Sequence, residues 1–144
     1  MSSLTAFLDR FLTRVWVEGD ARAIPEMMAP DAAIHGLEEM GQEGAREFLR
    51  FHTMICRQFD RISIDPLQGL EQGDWVSQVM QVSATELRSG KRISFVAHVT
   101  CEVRGGKVTK GYNTVDFLSL FEQLGRLPPR TLDHCLLERR LELV

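Results

Sequence analysis

Cysteine is scarce in this sequence. The 144 residues include three cysteines, Cys56, Cys101 and Cys135, which lie far apart and show no CxxC spacing. An odd number of widely separated cysteines fits free thiols in a reducing compartment better than a disulfide framework. The cysteine pattern therefore predicts a cytoplasmic protein that is stabilised by its core rather than by cross-links.

Long hydrophobic runs and an excess of basic residues are also missing. In the N-terminal stretch MSSLTAFLDRFLTRVW, Asp9, Arg10 and Arg14 interrupt the apolar pattern, so neither a signal peptide nor a membrane span is predicted. The net charge is −3, from 17 Lys and Arg against 20 Asp and Glu. No basic stripe exists for a phosphate backbone, and we expect neither nucleic acid nor a membrane as a partner.

Motifs that hold phosphates or metals do not occur. The glycines stand singly or in hairpin turns, which argues against a nucleotide cofactor. The polar residues His35, His98, Asp116 and Asp31 show no recognisable ligand spacing. The sequence thus predicts no cofactor and no metal.

What is present is enough apolar material, 44%, for one domain with a sizeable core. Apolar residues at helical spacing predict a first helix from Leu4 to about Val15, ended by Gly19. A shorter helix follows from Asp20 to Met28, then a short strand over 32–35. A third helix is predicted over 43–59, with Phe48 and His52 in its apolar stripe.

The second half of the chain shows the residue pattern of β-strands. They are predicted over 61–70, 75–87, 92–104 and 107–116, separated by turn residues such as Ser89-Gly90 and Gly105-Gly106. Three helices followed by a meander of four strands indicate an α+β fold. The two-residue turns predict a register that places Tyr112 and Asp116 on the apolar inner face, and His98 and Asn113 on the outer face. A single β-bulge would exchange the faces, so His98 and Asn113 could still turn inward.

Several separated motifs together resemble the SnoaL-like polyketide cyclases of the nuclear transport factor two-like superfamily. They are Trp16-Val-Glu-Gly-Asp20, Ala29-Pro-Asp31, His35-Gly36, Gly44, Gly106-Lys-Val108 and the block from Asn113-Thr-Val-Asp116 to Gly125. The resemblance covers about residues 4 to 128. It implies a curved antiparallel sheet wrapped by three N-terminal helices into a cone with an internal pocket, but no single reaction.

Asp116 is the first candidate for chemistry. By resemblance, the acid at this position is a general acid/base in an intramolecular aldol condensation. A carboxylic acid in an apolar cavity has a raised pKa, which suits proton transfer at neutral pH. The alternative interpretation is that Asp116 caps the helix that follows it.

Other residues could assist Asp116. Asn113, His98, His35 or Tyr112 could donate to the oxygen of an enolate, although His35 could equally be a surface residue and His98 could lie under a dimer partner. Aromatic and apolar residues could line a pocket, while some of them could be ordinary core; the predicted set is Trp16, Tyr112, Phe48, Phe95 and Met80. Leu37 and Met40 are candidate lid residues at the pocket mouth.

Two features depart from the cyclases. Asn113 stands where they have an acid, and the loop between their central strands is reduced to Arg88-Ser-Gly-Lys91. These changes put polyketide cyclisation in doubt more than the fold.

Three functions are compatible with the pattern. The first is a cofactor-independent enzyme that acts on a small hydrophobic carbonyl compound as a cyclase, isomerase or relative. The second is a non-catalytic protein that binds such a molecule. The third is a dimerisation module that uses the outer sheet face with Trp75 and Val79, and a homodimer through the sheet is expected in any case. The domain is predicted over 1–128, and the tail over 129–144 is expected to dock on it or on a partner subunit.

Overall fold

The computed structural model describes residues 3–37 and 42–142. The helices are α1 (Leu4–Leu12), α2 (Ala23–Met27), α3 (Ala45–Cys56), α4 (Phe117–Gln123) and α5 (Thr131–Leu136), and a π-helical turn spans Thr13–Val17. The strands are β1 (Met28–His35), β2 (Gln42–Glu43), β3 (Phe59–Gln72), β4 (Trp75–Glu86), β5 (Arg92–Arg104) and β6 (Lys107–Val115).

The six strands form one sheet in the order β2-β1-β6-β5-β4-β3. The pairs β3–β4, β4–β5 and β5–β6 are antiparallel, as the turn residues predict. β1 pairs with β6 in the parallel direction, with Ile34 opposite Gly111. The sheet is thus mixed, with one parallel pair that the hairpin signals do not predict. The α+β class with N-terminal helices on a sheet is confirmed.

The first helix shows why the N-terminal segment folds as it does. The Ser3 side chain accepts a hydrogen bond from the Ala6 N–H at 3.0 Å and so caps α1. The face that turns toward the sheet is buried; it consists of Phe7, Leu8, Phe11 and Leu12. Beyond Leu12 the helix widens into the π turn and still buries Val15 completely.

The main core lies between the helices and one face of the sheet, here called the inner face. It contains residues from α1, β1 and α3 together with Val76, Met80, Ala97 and Val99 from the strands. A smaller core joins Phe59, Ala84, Ile93 and Leu120, where α4 covers the other end of the sheet. The opposite, outer face carries most of the polar residues of β4 and β5, whereas Gln78 is buried on the same face as Val76 and Met80.

The observed β4–β5 register is two residues from the predicted one. Val82 pairs with Phe95 and not with Ala97. The reason is the turn: the Glu86 N–H donates to the Lys91 carbonyl, so the connection is longer than the two residues assumed. A shift of two residues keeps every side chain on its predicted face, because side chains alternate with a period of two.

The β5–β6 pair contains the bulge that decides the faces of β6. Val103 pairs with Val108, but Glu102 pairs with Lys110, so Thr109 is the extra residue. The Thr109 hydroxyl donates to the Glu102 carboxylate at 2.7 Å and holds this irregularity. Beyond the bulge the faces of β6 are exchanged relative to an unbroken ladder.

The first residues of the C-terminal segment pack against the domain. Thr131 is buried, and the Leu132 N–H donates to the Glu122 carboxylate of α4 at 2.8 Å. Leu136 and Leu137 are exposed. Within the described residues, no helix has the length and apolar content that crossing a membrane requires.

Glu86 gives the fold a dependence on pH. This buried carboxylate accepts from the Ser89 hydroxyl at 2.6 Å and pairs with Arg126 at 2.9 Å. These contacts lower the pKa of Glu86 from its ordinary 4.5, and the hydrogen bond from Ser89 has the largest effect. As the pH falls, the unfolded chain therefore takes up the proton before the folded chain does.

We expect Glu86→Gln to flatten the acid side of the stability curve. Glu86 contributes its full stabilisation above the pKa that it has in the unfolded chain. This stabilisation is lost as the pH falls through the lower pKa that it has in the folded chain. Urea unfolding at several pH values from neutral to below the ordinary pKa of 4.5 measures this slope. Glu18→Gln, at an exposed carboxylate, is the control; an unchanged slope in Glu86→Gln would contradict the assignment.

Candidate functional site

A cavity of about 150 Å³ lies between the helices and the inner face of the sheet. Its wall is almost entirely apolar. The helices contribute Leu8, Phe11, Leu12, Trp16, Phe48, Phe51 and Ile55, and the strands contribute Met28, Ile34, Met80, Val82, Phe95, Ala97, Val99 and Cys101, among others. Four of the predicted pocket residues, Trp16, Phe48, Phe95 and Met80, lie in this wall.

Trp16 is positioned by the π turn. Its ring packs edge-on against Phe48 and Phe51, with centroids 6.1 Å away in both pairs, and lies 5.0 Å from the ring of His52. The His52 Nε2 donates to the Val15 carbonyl at 2.6 Å. Because a π turn leaves carbonyls outside the ordinary helical ladder, this buried histidine satisfies the turn that presents Trp16.

Asn113 lies in the cavity wall because of the Thr109 bulge. Its Nδ2 donates to the main-chain oxygen of His35 at 3.1 Å. Gly36, with φ +92°, lies so close that an added Cβ would be 1.8 Å from the Asn113 carbonyl oxygen. The end of β1 therefore fixes both the backbone and the carboxamide of Asn113.

Asp116 lies outside the cavity wall. Its carboxylate is exposed and accepts from the Ser119 N–H at 3.0 Å, which caps α4. Its own N–H donates to the Val96 carbonyl at 3.0 Å. The structure thus shows the capping arrangement that is the alternative interpretation of this residue.

His98 borders the cavity through its place in β5, between Ala97 and Val99, but its side chain is exposed on the outer face. The imidazole Nε2 lies 2.8 Å from the Ser77 hydroxyl, which in turn lies 2.9 Å from that of Thr100. His98 and Asn113 are therefore on opposite faces of the sheet and do not converge on one ligand atom.

His35 and Tyr112 meet each other on the outer face. Their rings stack with centroids 5.1 Å apart, and Tyr112 stacks on Trp75 at 6.3 Å. Tyr112 is 52% exposed and lies outside the cavity wall, because the bulge reverses its predicted face. Of the predicted lid residues, Leu37 borders the cavity, whereas Met40 lies outside the described residues.

Cys101 is the titratable side chain buried in the wall. Burial raises the pKa of its thiol to about 12, so the thiol is protonated at neutral pH and is a poor nucleophile. It behaves as part of the apolar surface.

Gly111 is a wall residue that the sequence pattern does not single out. A Cβ at this position would lie 3.1 Å from Ile34 Cδ1 and 4.0 Å from both Asn113 Nδ2 and Cys101 Cβ. The available signal is an isolated glycine inside a predicted strand, which marks a bulge or a close approach. Both occur here.

Comparison with protein families identifies the domain type. The model of the SnoaL-like domain family matches residues 8–111 of this chain. A comparison with curated proteins finds no match.

Solved structures show the same fold. TsrD from Streptomyces laurentii superposes with a TM-score of 0.75 at 19% identity, over 86% of this chain and 96% of that chain. A candidate polyketide cyclase from Acidithiobacillus ferrooxidans gives 0.75 at 21% identity, over 88% and 97%. AclR from Streptomyces galilaeus, a candidate hydroxylase, gives 0.75 at 18% identity, over 86% and 96%. At these identities the likeness extends to the fold alone.

Proposed function

The chain belongs to the SnoaL-like domain family, and from this premise we propose that it binds a small, largely apolar molecule in its internal cavity. The observation that supports this function best is the wall itself: among the residues that the structure describes, its side chains are apolar apart from the Asn113 carboxamide and the buried Cys101 thiol. Concave apolar sites with a few placed polar groups are the usual form of a small-molecule site. Asn113 is the polar contact in this proposal.

Intrinsic fluorescence tests the binding function. The chain has two tryptophans, of which Trp16 lines the cavity and Trp75 packs on Tyr112 outside it. In Trp75→Phe, titration with neutral cyclic ketones should change the Trp16 emission saturably. Trp16→Phe, which keeps only Trp75, is the matched control. No saturable change with any ketone, or equal changes in both variants, would reject a cavity site.

Acid/base catalysis on a hydrophobic carbonyl compound is the second candidate, favoured by the candidate cyclases among the structural neighbours. It requires Asp116 to leave its cap and reach the ligand. Asp116→Asn and Asp116→Ala separate the two roles, because Asn is as good an N-cap as Asp while Ala is not.

We expect Asp116→Ala to lower the unfolding free energy by about 1 kcal/mol through loss of the cap, and Asp116→Asn to change it little. Ligand affinity should be unchanged in both variants. Urea unfolding and the Trp16 titration measure these effects. A catalysed conversion of a bound ketone that Asp116→Asn abolishes would instead support the enzyme.

We propose, in addition, that the outer face pairs with a second copy of the chain. The row of His35, Tyr112 and Trp75, with Tyr112 half exposed, supports this pairing, and Val96 is exposed farther along the same face. Sedimentation equilibrium should show a dimer that Tyr112→Lys weakens, while Leu87→Lys, in the turn after β4, does not. A monomeric wild type would reject the pairing.

A further inference from the structure

The volume of the cavity bounds the size of its occupant. Its volume is about 150 Å³, and a dry apolar cavity of about 150 Å³ holds one benzene ring. The enclosed space matches a single ring, and a fused second ring would have to extend toward the open side of the cavity or displace close-packed wall residues.

β1 and β6 meet at one corner of the cavity. Gly111 contributes no side chain, and Ile34 Cδ1 lies 3.1 Å from the position that a Cβ would take. Any side chain at 111 would therefore occupy space between Ile34 and Cys101, and a smaller residue at 34 would enlarge it. These two positions, paired across the parallel strands, bound the cavity at this corner.

The same corner carries the polar group. Asn113 Nδ2 lies 4.0 Å from the Cβ position of Gly111, and it already donates one N–H to the His35 carbonyl. Among the described residues, no other hydrogen bond involves this carboxamide, so an N–H and Oδ1 remain for a ligand. A ligand oxygen at this corner would lie on the side of the cavity that carries Asn113.

Charge on the ligand is disfavoured. Within the described part of the chain, the residues of the wall include no carboxylate, ammonium or guanidinium group. An ion transferred into such a wall loses its hydration without gaining a partner. The occupant should therefore be neutral.

We propose that the ligand is a neutral compound with one six-membered ring and one hydrogen-bonding oxygen, that Asn113 binds this oxygen, and that Gly111 and Ile34 set the one-ring limit. This inference rests on the proposed binding function and narrows its ligand class.

Calorimetric titration of the wild-type protein with three probes is the test: cyclohexanone, the fused two-ring 2-decalone, and cyclohexanecarboxylate. We expect cyclohexanone to bind at least roughly tenfold more tightly than either of the others. If 2-decalone binds as tightly, the size limit is wrong while the binding function stands. If none of the three binds, and the fluorescence titration is also flat, the binding function itself fails.

Variants test the residue roles separately. Gly111→Val should weaken cyclohexanone roughly tenfold or more while the protein remains folded, since valine favours a strand. Ile34→Ala should admit 2-decalone, and this gain of binding cannot arise from misfolding. Asn113→Leu, similar in size, should reduce affinity for cyclohexanone. Unchanged affinities in all three variants would overturn the roles proposed for Gly111, Ile34 and Asn113.

Discussion

Gly36→Ala should lower the unfolding free energy by roughly 2–4 kcal/mol, the sum of backbone strain and a lost hydrogen bond. The new Cβ would lie 1.8 Å from the Asn113 carbonyl oxygen, at a backbone φ of +92°. The end of β1 must then separate from β6. The bond from Asn113 Nδ2 to the His35 carbonyl is lost with it.

A matched control separates the steric overlap of the new Cβ with Asn113 from the backbone strain at a positive φ. Gly106 also has a positive φ, +75°, but an added Cβ there meets nothing within 4 Å. Gly106→Ala should therefore lower the unfolding free energy only through the left-handed backbone conformation, by about 1 kcal/mol. Urea unfolding gives both values, and the NMR shift of the Asn113 side-chain amide reports the detachment. Equal losses in the two variants would mean that the contact with Asn113 is unimportant.

His52→Leu should destabilise the protein by about 2–3 kcal/mol, because a buried carbonyl left without its donor costs that much. His52 is 3% exposed, and its Nε2 is the donor to the Val15 carbonyl in the π turn. Leucine fills the space but cannot donate. We also expect the Trp16 emission to change, since the Trp16 ring packs on His52.

His52→Gln is the matched control, because the glutamine Nε2 can donate from a similar distance along the side chain. It should recover part of the stability and keep the emission of Trp16 in a Trp75→Phe background. Urea unfolding and fluorescence of both variants provide the comparison. Equal loss in His52→Gln and His52→Leu would show that the ring contributes by shape and not by its hydrogen bond.

The strands and their turns could be predicted from the sequence because their signals are local. Gly105-Gly106 marks a tight turn, and the observed β5 begins and ends at the predicted residues. β1 is different: the sequence pattern predicts a strand over 32–35, but β1 begins at Met28. Its partner is a distant parallel strand, which no local turn indicates.

The faces of β6 could not be predicted, because one residue decides them. Thr109 is extra only in relation to Glu102 on the neighbouring strand, and such a relation is invisible in the local pattern. It places Asn113 toward the cavity and Tyr112 outside. Asp116 shows a second limit: an acid before a helix predicts a cap and a pocket acid equally well, and only the direction of its side chain distinguishes them.

The parallel pairing of β1 with β6 also has a consequence for synthesis on the ribosome. β1 emerges early, but its partner Lys107–Val115 emerges only after the three long strands between them. Contacts between distant segments form slowly, and an unpaired apolar strand is prone to aggregate while it waits. A nascent chain that stops before residue 107 therefore leaves β1 without its long partner, and the arrival of β6 sets the moment at which the sheet can be completed.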